Sequence, residues 1–182
     1  EEEVKDKQSS ETAAATVAAE ASSNSSSSEA ARPRTNWVKA EEMALSRYID
    51  QRQINRANVI SDAKLVSHFD GVDPISNTQP IFDAYIRDME SEIFIDIRPE
   101  RLISPPYRDR LYVLLSKINH YRSTKRVNAH LDLVLVKVPG EEGPRYYPVD
   151  RFFEAFSPAI ATGLLRVVTI GLSEEDAALL KG

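Results

Sequence analysis

The run Glu92-Ile93-Phe94-Ile95-Asp96-Ile97-Arg98 decides the fold class. Ile93, Ile95 and Ile97 alternate with Glu92, Asp96 and Arg98, and Phe94 is the one apolar residue on the polar side. Period two with β-branched side chains predicts a strand that lays one face on a core. Downstream, Ser104-Pro105-Pro106 marks the start of a helix, because proline's missing N–H costs nothing in a first turn. Tyr107, Leu111, Leu114, Leu115, Ile118 and Tyr121 then recur on one helical face, so this helix is expected to cover a sheet. Leu131 to Val138 is apolar apart from Asp132 and Lys137, which predicts a central strand buried on most of both faces.

Working outward, Pro139-Gly140-Glu141-Glu142-Gly143-Pro144 reads as a turn, with Arg145 to Val149 as the second arm of a β-hairpin. Asp150 is expected to cap a helical turn carrying Phe152, Phe153 and Phe156, and Leu164 to Ile170 is another β-branched run. Ser173-Glu174-Glu175-Asp176 has capping-box spacing before a short last helix. Towards the N-terminus, Ile81 to Met89 reads as a strand or a short helix, and Asp73 to Pro80 as a loop. Ser61-Asp62 predicts the cap of a short helix from Ala63 to Phe69, and Trp37 to Asn58 an amphipathic helix of four or five turns. The order predicts an α+β domain: a mainly antiparallel sheet of about four or five strands with helices packed on one face. A doubly wound fold is the alternative.

Residues 1–36 differ in kind from this body. They open on three Glu, are rich in Ala and Ser, hold Val4 and Val17 as their large aliphatic residues and contain no aromatic, so they cannot bury enough apolar surface to offset chain entropy. The sequence therefore predicts a disordered acidic tail over 1–36 and one domain over 37–182. A start at Glu rather than Met reads as a processed form or a fragment. No apolar stretch approaches the roughly 18 to 20 residues that span a bilayer. The absence of Cys excludes a disulfide scaffold, a thiolate metal site and a cysteine nucleophile, and points to an intracellular setting, cytoplasm or organelle interior. Asn24-Ser25-Ser26 matches the glycosylation pattern, as a Ser-rich tract readily does by chance.

Candidate chemistry is sparse. His68, His120 and His130 show no metal-ligand spacing, and the oxygen donors Asp70, Asp73 and Asn77 lack the spacing of a calcium loop. Ser61-x-x-Lys64 stands without the companion elements of a serine–lysine hydrolase. With six Gly and no glycine-rich phosphate loop, no nucleotide cofactor is expected, and no metal or other cofactor either. Asp88, Glu90, Glu92 and Asp96 read as an exposed acidic face that keeps a sheet soluble, Glu92 and Asp96 being about 13 Å apart at roughly 3.3 Å per residue.

One cluster stands out from an acidic chain of net charge −5: Arg108, Arg110, Lys117, Arg122, Lys125 and Arg126 face the single acid Asp109, with Tyr107, Tyr112, Tyr121 and His120 interleaved. These arginines either contact an anion or pair with the acidic strand. A second cluster, Tyr146, Tyr147, Phe152, Phe153 and Phe156, is too dense in aromatics for all of it to be core, and Tyr146, Tyr147 and Phe153 are the contact candidates. The expected function is a non-enzymatic protein–protein interaction or assembly module, such as an accessory subunit of a larger complex. The competing expectation is RNA or other polyanion binding through Arg108 to Arg126.

Overall fold

The computed structural model describes residues 35–65, 81–141 and 148–181. Five strands form one sheet in sequence order: β1 (Val59–Lys64), β2 (Ile81–Arg87), β3 (Glu92–Pro99), β4 (Ala129–Lys137) and β5 (Leu165–Gly171). The helices are α1 (Trp37–Gln51), α2 (Pro105–Lys125), α3 (Val149–Glu154), α4 (Ser157–Ala161) and α5 (Glu174–Leu180). The class is α+β, as the sequence predicts. Thr35 and Asn36, counted with the tail in the sequence, join this fold: Thr35 bridges Lys181 and the Asn36 side chain caps α1. Residues 1–34 lie outside the described residues.

Two features differ from expectation. The sheet is mixed: β1–β2 and β2–β3 are antiparallel, whereas β3–β4 and β4–β5 are parallel. The reason is the length of α2. Its 21 residues rise about 31 Å at about 1.5 Å each, enough to carry the chain back along β3 so that β4 starts at the same end. β4 has β3 and β5 as its neighbours, and most of the hairpin arm expected at Arg145 to Val149 lies outside the described residues. Val149 is helical instead, and 142–147 lie outside the described residues.

Helices also occupy both faces of the sheet rather than one. On the first face, Ala40, Ala44, Tyr48 and Ile49 of α1 and Ala177 and Leu180 of α5 pack on Ile93, Ile95, Ile97, Val134 and Val136. On the second, Leu111, Leu114, Leu115 and Ile118 of α2, with Phe152 and Phe156, pack on Phe94, Leu131, Leu133 and Leu135. Burying each such Leu, Ile or Phe is worth about 1.5–3 kcal/mol, so β3 and β4 hold the domain together; β4 is central as expected, whereas β3, expected to lay one face on a core, is buried on both. Leu65, Phe82 and Ile103 extend the second cluster.

Local signals act as their chemistry requires. Pro105 and Pro106 open α2, and Arg126 closes it at φ 53°, the left-handed conformation usually left to glycine. The capping box at α5 is present, Ser173 and Asp176 each accepting a hydrogen bond from the other's backbone N–H. Gly163, at φ 72°, turns the chain from α4 into β5. The helix expected over Ala63 to Phe69 does not begin at Ala63: Ala63 and Lys64 belong to β1, where Asp62 takes φ 51° and Ser61 and Ala63 pair with Ala84 and Phe82, and 66–69 lie outside the described residues. Ser61 and Lys64 thus sit on a strand, without the helical spacing that would bring amine and hydroxyl together. α1 ends at Gln51, where Arg52 and the positive φ of Gln53 stop it short of Asn58.

Candidate functional site

Two aspartates lie fully buried on the adjacent central strands, one facing each layer of helices. Asp96 of β3 projects towards α2. Arg98, two residues on and on the same face, donates from Nε to Oδ2 (3.0 Å) and from Nη2 to Oδ1 (3.2 Å). The Tyr107 hydroxyl donates to Oδ2 at 2.5 Å, and Arg110 Nη2, one helical turn along α2, stands 3.7 Å from Oδ1. The Arg98 guanidinium lies over the Tyr107 ring, 5.7 Å from its centroid. Burial alone would raise the Asp96 carboxyl, but Arg98, Arg110 and the Tyr107 hydroxyl outweigh it and hold it at about 2. Burial, with the neighbouring carboxylate, pushes the Tyr107 phenol well above its ordinary value.

Asp132 of β4 repeats the arrangement on the opposite face. Arg166 of β5 grips it with two hydrogen bonds, Nε to Oδ1 at 2.9 Å and Nη2 to Oδ2 at 2.7 Å. The buried Tyr48 hydroxyl of α1 donates to Oδ2 at 2.5 Å, and His130 Nε2 approaches Oδ1 to 3.3 Å. Arg52 Nη1 stands 4.0 Å from Oδ2, its guanidinium 5.0 Å above the Tyr48 ring. Burial again opposes the charge, and the contacts with His130, Arg166 and Tyr48 hold the carboxyl far below the usual range. Each centre therefore sets one carboxylate against two guanidiniums and one phenol. Neither carboxylate is poised to exchange a proton near neutral pH, so both centres serve to hold charge and to orient donors.

Of the expected exposed acidic face, Asp88 and Glu90 are exposed, but Asp96 is buried and Glu92 is half-buried, accepting hydrogen bonds from Tyr85 at 2.5 Å and Tyr121 at 3.1 Å. The expected pairing of a basic-helix arginine with this strand is present, through Arg110 and Asp96. The six bases of the Arg108 to Arg126 segment do not share one surface. Lys117 is buried, Arg108 and Arg122 are half-buried, and Arg110 is exposed beside Asp96. Lys125 and Arg126 are exposed at the C-terminal end of α2, where cations complement the helix dipole. Of the aromatic candidates, Phe153 is half-buried with its ring edge-on to Phe152, while Tyr146 and Tyr147 lie outside the described residues. His120 is exposed with Nε2 3.3 Å from the Thr124 hydroxyl, and His68, Asp70, Asp73 and Asn77 lie outside the described residues.

The outward face of α2 is formed by Asp109, Tyr112, Ser116, Asn119 and Ser123, which recur at helical spacing and are all exposed. Tyr112 is 48% exposed although its ring meets Phe156 at 4.6 Å. One turn beyond Phe156, Ile160 of α4 is 42% exposed. The sequence reading placed Tyr112 among the rings interleaved with the basic cluster and did not single out Ile160, a lone large aliphatic residue in a short segment with no pattern to flag it. Among the described residues no helix is long and apolar enough to cross a membrane, and no three or more His, Asp or Glu side chains gather as metal ligands. The N-terminus of α2 offers little to a phosphate, since Pro105 and Pro106 supply no N–H. No protein-family model, curated protein or solved structure matches the chain.

Proposed function

We propose that the domain is a non-enzymatic protein-interaction module, an accessory subunit that docks through the outer face of α2 and the adjoining α4. One observation supports this most: in a chain with 28% charged residues, the outer face of α2 beyond Asp109, namely Tyr112, Ser116, Asn119 and Ser123, carries no charge, and Ile160, one turn past the Phe156 that Tyr112 meets, is exposed. Interface centres are poor in charge and enriched in tyrosine, whereas a solvated helix face carries Lys and Glu. Phe153, half-buried beside Phe152, adds apolar surface on the same layer. The occupant that fits is a protein surface that is itself flat and uncharged.

The polyanion reading draws on fewer groups, since Arg122, Lys125 and Arg126 are the bases at the C-terminal end of α2, with buried Lys117, Asp96-bound Arg110 and, at the other end, half-buried Arg108 set aside. One experiment separates the two. The full chain, tagged and crosslinked in its native cells, is compared with Y112E/I160E and with R122A/K125A/R126A, folding being checked by circular dichroism. The docking reading expects a partner set that Y112E/I160E loses and the triple variant retains at high salt. Equal recovery with Y112E/I160E defeats that reading, and salt-sensitive recovery of nucleic acid lost in the triple variant establishes the other.

A further inference from the structure

The Asp132 centre holds more positive charge than it uses. One carboxylate stands against Arg166 and Arg52, both permanently charged, with His130 beside them. Asp50 of α1 does not supply the missing negative charge, because it pairs with Arg56 at 2.8 Å, and Asp176 of α5 pairs with Arg47. Donors are in surplus too. Asp132 engages Nε and Nη2 of Arg166, which leaves Nη1, and no side-chain N–H of Arg52 reaches a hydrogen-bond acceptor among the described residues.

We propose that Arg52 and Arg166 form an oxyanion site, taking a phosphate or carboxylate group between the solvent-exposed parts of the two guanidiniums. The donors are fixed before a ligand arrives: Arg166 by its two bonds to Asp132, Arg52 by its seat over the buried Tyr48 ring. Nitrogens of both lie within 4.0 Å of the same oxygen, Asp132 Oδ2, so they are close enough together to be bridged by one tetrahedral or planar oxyanion. Side-chain exposures of 33% for Arg52 and 45% for Arg166 leave the pair open to solvent while their inner edges are shielded, which strengthens a charge-assisted hydrogen bond. Asp132 orients the fork and offsets one of the two charges, so the site presents a net positive charge instead of filling itself. The Asp96 centre has the same composition but is more closed, the Arg98 side chain being 14% exposed. The site is independent of the α2 docking face, since Asp132 and α2 lie on opposite sides of the sheet.

The test is arginine Nε–Hε NMR on the full chain, titrated separately with inorganic phosphate and with acetate at constant ionic strength held by chloride. The proposal expects the Arg52 and Arg166 signals to move together and saturate, with Arg56 unmoved. Saturation by phosphate alone, by acetate alone or by both supports the site and identifies which oxyanion it takes. The R52Q variant should weaken binding at Arg166 roughly tenfold or more, and R52K, which keeps charge but loses the fork, by less. Shifts that rise without saturation and equally at Arg56 mean an ordinary solvated surface and overturn the proposal. So does binding at Arg166 that is unchanged in R52Q.

Discussion

Removing either half of the Asp132–Arg166 pair breaks the same two hydrogen bonds, yet the costs should be unequal. The Asp132 side chain is fully buried and that of Arg166 is 45% exposed. In Arg166→Gln the carboxylate stays buried after losing its bidentate partner, a defect worth about 3–5 kcal/mol when no other cation is near. Arg52, His130 and the Tyr48 hydroxyl remain within reach, which places the expected loss near the lower end, about 3 kcal/mol. In Asp132→Asn the amide oxygen still accepts from Tyr48, and the freed Arg166 head turns to water, so the loss should be about 1–2 kcal/mol. The double variant should be more stable than Arg166→Gln alone, because it removes the stranded charge. Urea denaturation at pH 7 measures all three, provided the m-values agree. If Asp132→Asn proves as costly as Arg166→Gln, or if the two losses simply add, the buried carboxylate is not the source of the cost.

Acid should destabilise the fold through the same groups. Asp96 is held at about 2 against an ordinary 3.8, so its stabilisation is complete above about pH 4 and is lost as pH falls through 2, on the order of 2 kcal/mol. Asp132 acts in the same direction. Urea midpoints that stay level between pH 4 and pH 2 would contradict this, and the slope should be shallower in Asp96→Asn. Leu111→Ala, which empties a fully buried position on α2, should cost about 2–5 kcal/mol, whereas Ser116→Ala on the outer face should change stability by less than about 0.5 kcal/mol; similar melting temperatures would misplace the buried face of α2. Arg126→Gly should stabilise by about 0.5–1 kcal/mol by relieving the left-handed backbone at φ 53°, and a lower denaturation midpoint would show that the Arg126 side chain contributes more than its conformation costs.

The helix α2 and the strands β3 and β5 were legible because their signals are local: proline at a first turn, i, i+4, i+7 leucines, alternating isoleucines. Sheet direction was less legible although it was written in the order strand, long helix, strand; few, unevenly spaced strands did not suggest βαβ alternation, yet α2 alone is long enough to return the chain for a parallel pairing. β1 was misread because an edge strand needs little apolar content, its backbone pairing with β2 supplying most of the order, and because Ser and Asp favour helix caps as well as irregular strand positions. The buried centres went unread for another reason. Asp96 and Asp132 were each noted, but a charge inside an apolar run must find a cation, and the partners come from elements distant in sequence: Tyr48, Arg52 and Arg166 for Asp132. The useful signal was Asp132 itself, an acid between leucines in a strand already expected to be buried on both faces.

That position also explains why such costly groups belong in the sheet. β3 and β4 are apolar on both faces, so hydrophobicity alone barely distinguishes the face that meets α1 from the face that meets α2. A strand turned over would still bury Ile, Leu and Val. It would not leave Asp96 beside Tyr107 and Arg110 of α2, nor Asp132 beside Tyr48 of α1 and Arg52 just past its end, and each misplaced carboxylate would be buried without its partners. We infer that one aspartate per central strand, on opposite faces, selects the orientation of that strand against the helix layer it meets. Stability is then the wrong measure of what the two centres contribute. Their effect is on the spacing between the native arrangement and its flipped competitors, which is why the Asp132→Asn/Arg166→Gln double variant can approach native stability and still populate more than one packing of β4, visible as doubled methyl resonances from Val134 and Val136.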